Sequence, residues 1–229
     1  LRRYKIEIRI LDKFRDHPVP NRFLDCGFVS DTSGEAPSGG DIESFGVDGQ
    51  EFIRNSMEFF NRGWRPYIVL EYIDWKYCLL NLVRGSDGNG KHPLRLPTDE
   101  GLSLAMQFSE FLKAMHQHNM VYIDHKPEHA YWVDGKLRVI DFNVSNIFEA
   151  NANPASVVQE KRKDIKYFMA GILFTVFTGR DARYQHESSA PSAAPSDPVG
   201  TQRRFDGITS LDFGMEEYLL PSLTQLIQQ

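Results

Sequence analysis

The chain has 229 residues, of which 41% are hydrophobic and 25% charged, and a formal net charge of −5, a globular composition with room for one sizeable core or two small lobes sharing one. The acidic balance speaks against a broad surface for nucleic acid or anionic membrane, so neither is expected as a partner. Cys26 and Cys78 sit in apolar stretches and read as small core residues rather than a disulfide or a zinc set. With no leader and no apolar run of membrane-spanning length, an intracellular, cytoplasmic protein is the default expectation.

The opening LRRYKIEIRILDKFR places Ile6, Ile10, Leu11 and Phe14 on one face at helical spacing, and Pro18 and Pro20 stop that helix. Phe23–Val29 and residues 67–72 (YIVLEY) predict strands. Between them, DTSGEAPSGGDIESFGVDG predicts a loop of little order, and EFIRNSMEFF a short amphipathic helix. Residues 31–65 together are long for a connection within one domain, which marks them as functional or mobile.

Residues 84–97 are a turn-rich connector, after which Thr98 or Asp99 caps a helix running to about His118. Leu104, Phe108, Leu112 and Met115 are its buried stripe. VYID, YWV and KLRVIDF follow as short extended segments, the last two joined by a hairpin turn at Asp134-Gly135. Residues 164–178 are nearly all apolar and predict a helix buried on most sides, with Asp164 placed to cap it. QHESSAPSAAPSDPVG predicts a flexible surface loop, and 215–228 a last helix burying Leu219, Leu223 and Leu226, with Pro221 inside it.

The chemistry lies in VYIDHKPEHAYWVDGKLRVIDFN. Asp124 and Asp141 each end an extended run where the chain changes direction, and the hairpin between them can bring both to one edge. There one carboxylate can orient a hydroxyl nucleophile while the other holds Mg²⁺ against phosphate oxygens. Lys126, two residues beyond the first, can neutralise a transferring phosphoryl group. Turn residues or caps are the plainer alternative for both acids.

The order of these elements resembles the eukaryotic-type protein kinases. Tyr122-Ile123-Asp124-His125-Lys126-Pro127-Glu128-His129 is similar to their catalytic loop, and Asp141-Phe142-Asn143 to their Asp-Phe-Gly. The resemblance implies an α+β, protein kinase-like fold. Residues 1–72 would form an incomplete N-lobe (the C helix and the last two strands) with an insertion at 31–65. Residues 73–229 would form a mostly helical C-lobe with a flexible insertion at 183–204. It further implies Asp124 as the catalytic base, Lys126 as the phosphate-contacting lysine, and Asp141 and His129 as metal ligands. The backbone of Glu71, Tyr72 and Ile73 would contact adenine, and Glu7 would pair with the family's β3 lysine. Asp164 would tie the catalytic loop through backbone N–H groups. ATP and Mg²⁺ are the implied cofactors, a protein substrate or partner is implied, and transfer of the γ-phosphate to a Ser/Thr-type hydroxyl is favoured.

The departures are specific. The likeness begins at the C helix, without a match to the glycine-rich loop or the β3 lysine, so little or no phosphoryl transfer is expected of this chain alone. His129 stands for the family's Asn, a nitrogen where Mg²⁺ prefers oxygen. Tyr122-Ile123 replaces His-Arg, which removes the usual partner of an activation-loop phosphate, and residues 144–163 are short and lack Ala-Pro-Glu. Asn143 replaces a glycine and takes left-handed backbone angles less freely. Two alternatives follow: a pseudokinase acting as scaffold or allosteric partner, and a small-molecule kinase of aminoglycoside or choline type. Lys126-Pro127 and the Thr178-Gly179-Arg180 helix end fit the protein-kinase branch better than the latter.

Overall fold

The first helix, α1 (Arg2–Lys13), ends where the Phe14 N–H returns to the Ile10 carbonyl. Its buried face is Ile8, Ile10 and Leu11 with Phe14, while Ile6, expected inside, is only half-buried. The face is rotated because a second helix packs across it: a Cβ on Gly49, at the start of α2 (Gly49–Asn61), would stand 2.8 Å from the Ile8 Cγ2. Only a residue without a side chain lets the two helices approach this closely.

The computed structural model describes residues 1–30, 40–84 and 95–180, and these form a mixed α+β architecture of helices and small sheets. β1 (Phe23–Val29) is the central strand of an antiparallel sheet, with β2 (Ile42–Ser44) on one side and β3 (Arg65–Leu70) on the other. Gly27, opposite Ser44 and Tyr67, has no room for a side chain, since an added Cβ would overlap the Glu43 carbonyl oxygen.

The described part of the stretch 31–65, residues 40–65, is therefore more than a loose insertion. Part of its expected loop is β2, and its helix α2 starts earlier than expected, capped by the Asp48 side chain on the Glu51 N–H at 2.8 Å. Phe52 and Phe59 of α2 stack on Phe28 of β1 at 4.6 and 5.0 Å between centroids. β3 stops at Leu70, two residues short of the expected strand end, and leaves Tyr72 85% exposed.

A turn at Trp75–Tyr77 and α3 (Leu79–Arg84) precede the long helix α4 (Thr98–Gln117). Neither Thr98 nor Asp99 caps α4. Pro97 occupies that position without a side-chain bond, and Asp99 and Glu100 instead complement the positive end of the helix from its first turn. The expected stripe is buried, joined by Phe111.

β4 (Met120–Val121) pairs with β7 (Asn146–Ile147), and β5 (Ala130–Val133) with β6 (Lys136–Val139). The β5–β6 turn has Asp134 and Gly135 at φ 49° and 74°, the left-handed pair that a two-residue hairpin needs. α5 (Pro154–Phe168) begins ten residues before its expected start, capped by Asn153. Its first half, PASVVQEKRK, is largely polar, so apolarity marked only the inner half. Asp164 consequently lies inside the helix and is not its cap. A π-helical segment (Met169–Leu173) and α6 (Phe174–Thr178) follow, ending at Gly179 with φ 69°.

Apolar residues of α1, β1, α2, α4 and α5 join one hydrophobic cluster, and both cysteines are buried and neither is in a disulfide. No described helix is long and apolar enough to cross a membrane. The loop expected at 185–200, the insertion expected at 183–204 and the helix expected at 215–228 lie outside the described residues, as does most of the 84–97 connector.

Candidate functional site

The site is built upward from Asp164. Its carboxylate is fully buried and accepts the Ile123 N–H at 2.7 Å and the Tyr122 N–H at 3.2 Å. His125 Nε2 lies 2.6 Å from one oxygen and His116 Nε2 2.7 Å from the other. Burial alone would raise this acid, but the His125 charge and the converging hydrogen bonds outweigh it and hold the carboxyl well below the usual range. Four donors on one buried acid fix the start of the loop. Ile123 is held at φ 68°, a left-handed conformation that a β-branched residue rarely adopts.

One residue on, Asp124 is 8% exposed and both its oxygens meet Lys126 Nζ, at 2.9 and 3.0 Å. His129 ends a short turn, Pro127–His129, that receives the Cys78 thiol on the Pro127 carbonyl. The hairpin then carries the chain back, and the Ile140 N–H donates to the His129 carbonyl at 3.0 Å, which sets Asp141 beside the imidazole. His129 Nδ1 is 3.4 Å from Asp124 and its Nε2 is 3.4 Å from Asp141. Potential ligand atoms of Asp124, His129 and Asp141 all lie within 4.8 Å of one another. Asp141 Oδ1 is buried and has no hydrogen-bond partner among the described residues.

Glu7 reaches this cluster from α1. Its carboxyl accepts the Phe142 N–H, yet burial, and then the nearby Asp141 charge, push it up from 4.5 to about 7. The left-handed residue of the Asp141-Phe142-Asn143 run is Asp141, at φ 62°, and Asn143 is not called on to adopt that conformation. The chain turns one step earlier, and the buried Phe142 ring anchors the turn against Tyr122 and Phe111.

Asp124, Lys126, His129, Asp141 and Glu7 are thus brought together. Glu71, Tyr72 and Ile73 are not part of that cluster. They line a separate concavity of about 330 Å³ with Asp74, Tyr77 and Val133. Glu71 is also committed within the fold, its N–H to the Arg22 carbonyl at 2.9 Å and its carbonyl accepting Asn21 Nδ2 at 2.8 Å. That leaves Tyr72 and Ile73 as the better placed of the three to offer backbone to a ligand.

The structural roles of three residues at the site escaped the sequence reading. His125 is wholly buried between Phe108, Tyr122 and Phe168, although charged residues flank it on both sides in sequence. His116 follows Phe108 and Leu112 at helical spacing, a polar residue on the edge of an apolar stripe, and that was a usable signal. The Tyr122 hydroxyl donates to the Ile140 carbonyl at 2.9 Å and so ties the two arms of the loop together. The chain matches no protein-family model and no curated protein sequence.

Proposed function

We propose that this chain carries the catalytic-loop part of a protein-kinase-like phosphotransfer site. In this reading Asp124 is the base, Lys126 the phosphate-contacting cation, and Asp141 with His129 hold a divalent ion beside ATP. The supporting observation is the convergence of Asp124, His129 and Asp141 within 4.8 Å, on a loop pinned from beneath by Asp164. The order α1, sheet, α4, loop, hairpin and buried Asp164 helix supports the kinase-like fold.

The donor set suits a divalent cation. Asp141 Oδ1 is an unsatisfied buried acceptor, and a bound cation would satisfy it. A carboxylate and an imidazole, from Asp141 and His129, form a mixed oxygen and nitrogen set, which favours Mn²⁺ over the oxygen-seeking Mg²⁺. The bound ion would supply charge neutralisation at phosphate oxygens.

The chain's own groups do the rest. Lys126, bonded to both Asp124 oxygens, fixes the carboxylate in one orientation and places a positive charge where a phosphoryl group gains negative charge. Asp124, nearly dry, is positioned to accept the proton of an approaching hydroxyl. Asp164 spends its acceptors on Tyr122, Ile123 and two imidazoles and acts only through the loop it positions. A protein Ser/Thr hydroxyl is the favoured acceptor, on the strength of the lysine two residues after the base.

One observation favours a second reading, a pseudokinase. The His129 ring already spans Asp124 and Asp141 at 3.4 Å on either side, so the imidazole holds the two acids together without any ion. Calorimetric titration of Mn²⁺ and Mg²⁺, then ATP with each, separates the two. Phosphotransfer predicts Mn²⁺ binding that is lost in Asp141→Asn, and ATP affinity that rises with the ion. A folded wild-type sample that binds neither ion, with ATP binding indifferent to both, would replace the proposal by the bridged scaffold.

A further inference from the structure

We propose that the outer face of α1 and the end of α2 form a docking groove for an acidic peptide segment bearing a large apolar side chain. Arg2, Lys5 and Arg9 follow one another along one face of α1, turned away from the core side chains Ile8, Ile10 and Leu11. Arg2 and Arg9 are exposed and Lys5 half-buried, and none of the three has an ion-pair partner among the described residues. Across from them Met57 and Phe60, three apart on α2, are 52% and 49% exposed. Ile6 and Ile147, both half-buried, help to line the same concavity of about 540 Å³, and Glu149 is its one acid.

Each part taken singly is ordinary. Surface arginines are usually solvated, and lone exposed apolar residues are common on any protein. Their juxtaposition is not ordinary in a chain whose net charge is −5, because it gathers three cations around uncovered methionine and phenylalanine. Charge complementarity selects an acidic occupant, and the apolar wall selects one with a side chain to bury there. A bare phosphate would leave Met57 and Phe60 wet. A flat anionic bilayer does not follow a concave surface, so a peptide fits better than a membrane. The proposal is independent of phosphotransfer, although the groove is walled by the helix that carries Glu7 and by β7, which begins five residues beyond Asp141.

The test is fluorescence anisotropy of the whole chain with three labelled synthetic peptides. One has Glu and Asp around a Phe and a Leu, one replaces the acids by Lys, and one replaces the apolar pair by Ser. The first should bind at least about tenfold more tightly than either control, and its affinity should fall as salt rises. The combined Arg2→Glu, Lys5→Glu and Arg9→Glu variant should lose it and gain the lysine peptide, a switch that a merely unfolded protein cannot give. Phe60→Ser should weaken the acidic peptide by about tenfold while keeping its salt dependence. Equal binding of all three peptides, or no change on charge reversal, would overturn the proposal. So would flotation with anionic phosphatidylserine vesicles by a chain that does not discriminate among the peptides.

Discussion

Replacing Glu7 by glutamine tests the electrostatics of the site without removing its hydrogen bond, because the amide oxygen can still accept the Phe142 N–H. Burial and the Asp141 charge raise Glu7 from 4.5 to about 7, so the folded state holds this proton more tightly than the unfolded chain does. A raised folded-state value gives stability that is complete below the unfolded value and is lost as pH climbs to the folded one. At about 1.4 kcal/mol per pH unit, ionising Glu7 in place costs the fold up to about 3 kcal/mol between pH 4.5 and 7. Glutamine carries no such cost. Urea denaturation in chelator should therefore find Glu7→Gln more stable than wild type by up to about 3 kcal/mol near pH 8. The difference should shrink toward zero near pH 4.5. A difference that does not change with pH, or a variant less stable than wild type at pH 8, would show that Glu7 is not raised by burial and Asp141 in this way.

Two other substitutions probe the frame of the site. Gly27→Ala should cost at least about 2 kcal/mol in urea denaturation, since its methyl would overlap the Glu43 carbonyl and stand 2.7 Å from Tyr67 Oη; a neutral result would mean β2 is not seated there. Asp164→Asn should cost about 3–5 kcal/mol near pH 7, because two imidazoles and two backbone donors lose a buried charge. Because its pKa is lowered in the fold, Asp164 contributes stability above its ordinary 3.8 that is lost as pH falls through the lower folded value, so the gap between wild type and variant should close in strong acid. A gap that persists there would contradict the assignment.

Much of the site was legible because its signals are local. Asp124, Lys126, His129 and Asp141 lie within eighteen consecutive residues, and the Asp-Gly turn between them sets the register that brings them together. The helix spacing of α1 and α4 was equally plain. What failed to read depended on tertiary partners. The rotation of α1 toward Ile8 needs α2 lying across it, and α2 can lie there only because Gly49 has no side chain. β2 is three exposed residues with no alternation of its own, and it is a strand only because β1 offers an edge. Asp164 looked like a cap because the polar half of α5 carries little apolar signal, and its four partners come from residues some forty positions away.

The two left-handed residues at the site explain why carboxylates crowd there. Ile123 and Asp141 each sit at positive φ, at a cost of about 1–3 kcal/mol apiece, and each is steadied by an acid outside its own loop. Asp164 accepts the N–H of Ile123, and Glu7 accepts that of Phe142, the residue after Asp141. The two acids are not equivalent, however. Asp164 is answered by His116 and His125 and remains ionised. Glu7 is raised by its burial and then by Asp141, whose charge Lys126 does not offset because it is engaged by Asp124, so Glu7 keeps its proton toward neutrality. A divalent ion on Asp141 would supply the missing positive charge and release that proton, so the ion and the Glu7 proton compete for one electrostatic vacancy. By linkage, the ion should then stabilise the protein more at high pH than at low pH, and Glu7→Gln should remove the part of that dependence that comes from Glu7.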